Sequence, residues 1–373
     1  MIYADYNATT PCLPEVADLV HHHLLTEYGN PGNHASLLGR RALAAVDTAR
    51  ARVAGAMGAF PDEIIFTSGA TEACNLAILG AMQRLLARRP RILTSAIEHP
   101  AVCMPAAACA EAGAQWEELP VDAQGRLRPE TLAAALDDRV ALVCVMAANN
   151  ETGVLQELRD LVRLTHDAGA LFFCDMTQLL GKRPFSVHAE DVDLACVSGH
   201  KCYGPKGVGA LYKRRGLALA PLLHGGGQEQ GLRSGTENVP GIAGFGLAAD
   251  RAAREVHTRA AHLQRLSRML EAEVLRALPR ATVQSAAADR IPGTSMFSHP
   301  GLRGKWLAQL SDVAATSGSA CGKGRHRARL ACFSRRARVW PQALSTAAQG
   351  WTNTARMPSR SATGAACCPA APP

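Results

Sequence analysis

The chain reads as an α/β protein with a mainly parallel sheet in a large domain and a smaller α/β domain towards the C-terminus, and two patterns predict it. Between about residues 64 and 212, short apolar, β-branched runs alternate with longer helix-compatible segments. Five of those runs are each followed by a small polar cluster, as expected where parallel strands end at a ligand crevice. With 373 residues, 47% of them hydrophobic, the chain has material for two domains of ordinary size and a substantial core. Disordered and collagen-like classes are excluded.

The strand-like runs are Glu63 to Phe66, Arg91 to Thr94, Ala141 to Met146, Ala170 to Cys174, Asp193 to Val197 and Val208 to Tyr212. The first leads into Thr67-Ser68-Gly69-Ala70-Thr71-Glu72, the second into Ala96-Ile97-Glu98-His99 and the third into Ala148-Asn149-Asn150-Glu151-Thr152-Gly153. The fourth leads into Asp175-Met176-Thr177-Gln178 and the fifth into Ser198-Gly199-His200-Lys201. Gly225-Gly226-Gly227, with Gly231 and Gly235 close behind, marks a loop, because so much glycine disfavours helix and strand alike. Residues 250–278, rich in Ala, Arg, Leu and Glu, read as a long helix joining the large domain to the small one. We therefore expect a large domain over 15–250, a small domain from 1–14 and 251–321, and an atypical tail over 322–373.

Charge sets that tail apart. Lys and Arg number 40 against 32 Asp and Glu, a formal charge of +8 that by itself suggests an anionic partner. The last acidic residue is Asp312, however, and nine basic residues follow it, leaving 31 basic against 32 acidic in the body of the chain. Aromatic residues in the tail are few, Phe333, Trp340 and Trp351, so a nucleic-acid-binding arm is not the expected reading. Twelve cysteines without C-x-x-C spacing suggest reduced thiols in a cytoplasmic protein. The start, Met1 to Asn7, lacks a basic stretch followed by an apolar one, so no secretory signal is expected, and no run is long enough for a membrane span.

The clusters point to one chemistry only when taken together. Small residues at Ser68 to Thr71, where a strand turns into a helix, let backbone N–H groups approach an anion, although an ordinary helix cap explains them equally well. Lys201, after a buried strand, has the setting in which a lysine loses its proton and forms a Schiff base with an aldehyde; a solvated surface charge is the plainer reading. Asp175 at a strand end suits a protonated pyridine nitrogen, or a helix cap. His99 suits stacking on a ring and proton handling, Gln178 and Asn150 suit hydrogen bonds to a ring oxygen or carboxylate, and each has a structural alternative. Cys321, in Thr316-Ser317-Gly318-Ser319-Ala320-Cys321, suits a nucleophile on a small-residue loop, or an inert thiol. An anion cradle, a Schiff-base lysine, a strand-end carboxylate and a stacking histidine together specify pyridoxal phosphate much better than any one of them does.

Several segments carry a resemblance. Ala4 to Pro11 (ADYNATTP), Phe66 to Glu72 (FTSGATE), Ala148 to Gly153 (ANNETG), Ser198 to Lys201 with Tyr203 to Gly207, Gly225 to Glu229 (GGGQE), Arg233 to Asn238 (RSGTEN) and Ser317 to Cys321 (SGSAC) are collinear. Together they resemble the class I cysteine desulfurases of the NifS/IscS kind, pyridoxal-phosphate enzymes of the class V aminotransferase family. The resemblance implies a fold-type I transferase, a homodimer with active sites at its interface, and pyridoxal 5'-phosphate as cofactor. It implies that Lys201 binds the cofactor aldehyde, His99 stacks on the ring and assists proton transfer, Asp175 meets the ring nitrogen and Gln178 the ring oxygen. Ala70, Thr71, Ser198 and His200 would hold the phosphate, with Thr236 reaching in from the second subunit, and Asn150 would contact cofactor and substrate. It implies that L-cysteine gives L-alanine and a persulfide on Cys321, delivered to an acceptor such as an iron–sulfur scaffold. Selenocysteine lyases share nearly all these segments and are the alternative; a non-catalytic member that only binds is the contrasting class.

Beyond Cys321 the resemblance stops. The family's Leu-Arg-x-Ser motif, whose Arg grips the substrate carboxylate, is absent, and Arg338 and Arg356 do not occupy it. The joint loss of acids and resemblance at one point suggests a changed reading frame beyond about 322, against a genuine tail; translation of the other two frames of the DNA separates the two. A genuine tail leaves the small domain without part of its core, and weaker substrate binding and lower stability are then expected.

Overall fold

The computed structural model describes residues 1–300, 312–316 and, as backbone, 328–331. In chain order its elements are β1 (Ile2–Tyr3), α1 (Pro14–Leu25), α2 (Leu37–Met57), β2 (Ile64–Thr67), α3 (Ala70–Leu85), β3 (Arg91–Ser95), α4 (Pro100–Glu111), β4 (Gln115–Leu119), α5 (Pro129–Ala135) and β5 (Val140–Cys144). There follow α6 (Leu158–Asp167), β6 (Leu171–Asp175), β7 (Leu194–Ser198), β8 (Gly209–Lys213), α7 (Val239–Ala277), β9 (Thr282–Val283), β10 (Thr294–Ser298), β11 (Val313–Ala314) and β12 (Ala328–Ala331).

Seven strands form the central sheet in the order β2-β8-β7-β6-β5-β3-β4. The pairs among β4, β3, β5, β6 and β7 are parallel, and β8 runs antiparallel to both its neighbours, β7 and β2. β2 therefore points the same way as the parallel strands, and the carboxyl ends of six strands share one edge of the sheet.

Each strand buries alternate residues on opposite faces because successive side chains point to opposite sides. On one face Val143, Phe172, Cys174, Ala195 and Val197 pack against α2, α6 and the first half of α7. On the other, Leu142, Cys144, Phe173 and Cys196 pack against α3 and α4. Helices on both faces explain why β5 and β7 are buried at every position and read in the sequence as unbroken apolar runs. β4 differs. As an edge strand with the exposed, polar sequence Gln-Trp-Glu-Glu-Leu it gives no such run.

The long helix begins at Val239, well before the stretch expected from residue 250. Its opening residues, Val239-Pro240-Gly241, resemble a loop in sequence. Pro240 lies in the first turn, where a missing N–H costs no hydrogen bond, and the Asn238 side chain accepts from Gly241 N–H to cap the end. The first half of α7 packs in the main core through Phe245, Ala248 and Ala252, while Leu266, Leu270 and Val274 of its second half meet Ala4, Phe297 and Val313 in a separate cluster. β1 pairs in parallel with β11, and β9, β10 and β12 form a small antiparallel sheet. The N-terminal segment thus joins the region after α7 and, from Asn7 onward, runs to the large sheet's edge.

Candidate active site

A cavity of about 430 Å³ opens at the carboxyl ends of β2, β3, β5, β6 and β7. Its wall includes Ala70, Thr71, His99, Asn150, Asp175, Gln178, Ser198, His200 and Lys201, so nine of the residues expected from sequence meet in one place.

β7 ends at Ser198, and the chain tightens into a single 3-10 turn, Gly199–Lys201. The Lys201 ammonium donates to the carbonyl oxygens of Asn7 at 2.6 Å and Ala8 at 2.9 Å. The same turn holds the N-terminal segment in two further ways: Thr10 donates to the His200 carbonyl, and His200 Nδ1 lies 3.1 Å from Thr9 Oγ1. Burial, reinforced by the charges of Lys201 and Lys206, pushes the His200 imidazole down to about 4, so it is neutral near pH 7.

The start of α3 reaches this turn because β8 begins with a glycine. A Cβ on Gly209 would stand 2.7 Å from Gly69 Cα and 2.7 Å from the Val197 carbonyl oxygen, so a side chain there would force the α3 entrance away from Ser198. The first-turn N–H groups of α3 lack intrahelical acceptors and carry the positive end of the helix dipole, an arrangement suited to an anion. Glu72 does not oppose this, since its carboxylate turns back to Ser68 N–H at 2.8 Å and to Arg233 Nε at 2.9 Å.

Asp175 closes β6 with 7% of its surface exposed. Its Oδ1 accepts from Thr177 N–H at 2.9 Å and from the Cys196 thiol at 3.4 Å. Gln178, one turn on, is also buried and donates through Nε2 to the Asn7 carbonyl at 3.1 Å. His99 caps α4, its Nδ1 accepting Ala101 N–H at 3.1 Å, which leaves the proton of a neutral ring on Nε2. Burial lowers the pKa of this ring, Asp175 opposes that shift and Lys201 reinforces it, with the net direction down.

Two expected residues lie elsewhere. Thr236 is exposed and lines a neighbouring hollow of about 200 Å³, which shares Ser68 and Gly207 with the main cavity. Cys321 and nearly all of the 322–373 tail lie outside the described residues. The structure adds residues to which sequence reasoning gave no part: Asn7, whose carbonyl accepts from both Lys201 and Gln178, and buried Lys182. Asn7 belongs to the quoted ADYNATTP segment, the one signal that could have found it.

Residues 2–337 match the family model described as Aminotransferase class-V. The "Cysteine desulfurase IscS" of Anaeromyxobacter dehalogenans (strain 2CP-C) is 43% identical over 323 residues, 86% of this chain and 80% of that protein. The chain belongs to the cysteine desulfurases of the class-V aminotransferase family. A "Cysteine desulfurase" of Gluconacetobacter diazotrophicus is 39% identical over 332 residues, 87% of this chain and 82% of its own. Among solved structures, a "NIFS-LIKE PROTEIN" superposes with a TM-score of 0.88 at 33% identity, covering 94% of this chain and 99% of its own. The NifS-like protein from Rickettsia africae ESF-5 gives 0.83 at 29%, covering 96% and 100%.

Cysteine desulfurases of this family are pyridoxal-phosphate enzymes, and the cavity fits that group. It offers an amine on Lys201, anion-binding N–H groups at α3, a carboxylate on Asp175 and a neutral imidazole on His99.

Proposed function

We propose that this cysteine desulfurase takes sulfur from L-cysteine, releases L-alanine and holds the sulfur as a persulfide on Cys321 for an acceptor protein such as an iron–sulfur scaffold. The observation that carries the reading is the Lys201 amine on the wall of a cavity shared with Asp175, His99 and the α3 N-terminus. When bound, pyridoxal 5'-phosphate supplies an aldehyde that links amines and a ring that withdraws electrons from the substrate's α-carbon.

The chain's own residues do the rest. Ala70 and Thr71 N–H groups, with Ser198 and neutral His200, would hold the phosphate. With pyridoxal 5'-phosphate bound, the Asp175 carboxylate would pair with the ring nitrogen and favour its protonation, Gln178 would donate to the ring oxygen, and Asn150 would contact cofactor and substrate. Lys201 donates to the backbone carbonyls of Asn7 and Ala8, which hold its amine at the cavity wall. His99, with Nδ1 committed to Ala101, presents Nε2 for stacking and proton movement. At Cys321 the balance is simple: the cysteine C–S bond breaks, an S–S bond forms, and the former β-carbon takes a proton to complete alanine.

Exposed Thr236, beside the cavity and outside it, supports a homodimer in which this loop serves the partner's site. We retain the division into a large domain over 15–250 and a small one over 1–14 and 251–321, with α7 crossing between them. Free thiols throughout the described core support a cytoplasmic setting; among the described residues no helix is long and apolar enough to cross a membrane.

Peptide mass spectrometry after incubation with L-cysteine tests the reading at its thiol. The Cys321 peptide is expected to gain one sulfur atom that dithiothreitol removes; no gain there, with the cofactor bound, overturns it.

A further inference from the structure

Lys182 lies one turn beyond Gln178, with only 5% of its surface exposed. Between them Gly181 adopts the left-handed φ of +76°, and a Cβ there would press on Ala252 of α7 at 3.0 Å. The turn aims the lysine inward. Its Nζ donates to Gln178 Oε1 at 2.5 Å and to Asn7 Oδ1 at 2.7 Å.

An ammonium has three donors and no acceptor, so the oxygen of each amide must face it. That settles which way both amides point. Gln178 Oε1 is committed to Lys182, one N–H of Nε2 goes to the Asn7 carbonyl, and the second is left for the cavity that Gln178 lines. Asn7, with Oδ1 committed, turns Nδ2 towards Thr294 Oγ1 at 2.8 Å and the Asn150 carbonyl at 3.4 Å. The Asn7 carbonyl accepts from Lys201 as well, so one buried lysine organises two amides around the reactive one.

We infer that Lys182 is a positioning residue that fixes the polarity of Gln178, so that the cofactor's ring oxygen meets an N–H donor and never a carbonyl. The inference rests on the placement of pyridoxal 5'-phosphate in this cavity. Lys182 Nζ meets the amide oxygens of Asn7 and Gln178, the Cys202 thiol is close enough to feel its charge, and the Arg259 guanidinium of α7 lies 3.2 Å from the position a Cβ on Gly181 would take.

The test reads the bound cofactor rather than turnover. Wild type, K182M, K182Q and Q178L are loaded with pyridoxal 5'-phosphate, checked for native circular dichroism, and titrated by visible absorbance. Wild type without a cofactor band overturns the placement of the cofactor, and the inference with it. With that band present, K182M is expected to raise the pH midpoint of the absorbance change by about 0.5–1 unit, because the ring oxygen loses a donor and the site loses a cation. K182M is also expected to weaken cofactor retention several-fold, and K182Q, which restores a donor to Gln178 Oε1, to recover at least half of both effects. A K182M titration and retention equal to wild type, or a K182Q no closer to wild type than K182M, overturns the inference. If K182M fails to fold, K182Q is compared in the Gln178 and Q178L backgrounds: a shift that persists without Gln178 overturns the assignment, and one that vanishes supports it.

Discussion

The Lys201 ammonium stands 2.6 Å from the carbonyl oxygen of Asn7, a residue 194 positions earlier in the chain. The N-terminal segment, which pairs by β1 with the region after α7, thereby also forms part of the active-site wall. The contact uses backbone at Asn7, so substitutions at the two positions have different consequences. Lys201→Ala removes the amine itself and is expected to abolish the visible band of the reconstituted protein and to lower turnover by at least about 10³-fold. Asn7→Ala keeps the carbonyl and the band, but deprives buried Lys182 of an acceptor and destabilises the fold by about 1–3 kcal/mol in denaturant unfolding. Equal loss of the band in both variants would contradict the separation.

Asp175→Asn preserves shape and the acceptor for Thr177 N–H while removing the negative charge. If that carboxylate keeps the ring nitrogen protonated, kcat falls by about 10²-fold or more, with a smaller change in KM. Steady-state kinetics on L-cysteine check it, and a kcat within threefold of wild type speaks against the role.

The glycine-rich loop is anchored by charge. Glu229, with its φ at +50°, receives both Arg50 nitrogens at 2.6 and 2.8 Å and the Phe66 N–H at 2.7 Å, and its side chain is only 3% exposed. Arg50→Ala leaves this carboxylate buried without its cation, with only the Phe66 N–H still donating to it, and is expected to cost about 3–5 kcal/mol. Replacing both partners by apolar residues of similar size should cost less than the single change. Urea unfolding of the two variants makes the comparison.

Glu98, beside His99, governs part of the pH dependence of stability. Burial pushes its carboxyl up to about 8; hydrogen bonds from Ser95 Oγ and Met146 N–H oppose the shift, and the Asp175 charge adds to it. Oε2 meets no hydrogen-bond partner among the described residues, which suits an acid that keeps its proton. The ordinary value is 4.5, so between that and about 8 the folded state holds a proton that the unfolded state has lost. Stability from this group is full below about 4.5 and declines by up to about 1.4 kcal/mol per pH unit until the slope ends near 8. Glu98→Gln is expected to flatten that part of the stability curve; an unchanged slope would contradict it.

Much of this was legible in the sequence because the sheet is parallel and covered on both faces. Burial of Val140 to Cys144 and Leu194 to Ser198 leaves apolar runs that mark strands, and strands running one way bring their terminal clusters together. β4 escaped because an edge strand is polar, and the start of α7 because Val239-Pro240-Gly241 has the composition of a loop. The Lys182–Gln178–Asn7 network left no periodic signal, since hydrogen bonds between residues more than 170 positions apart depend on tertiary packing.

The central claim is that this cavity removes sulfur from L-cysteine, and one assay bears on it most directly. Purified protein loaded with pyridoxal 5'-phosphate is incubated with L-cysteine and dithiothreitol while alanine and sulfide are both quantified, with Lys201→Ala as control. Alanine and sulfide formed in equal amounts over many turnovers, and absent from the control, are the predicted result; a protein that binds the cofactor yet makes neither product, or releases product only from L-selenocysteine, would contradict it.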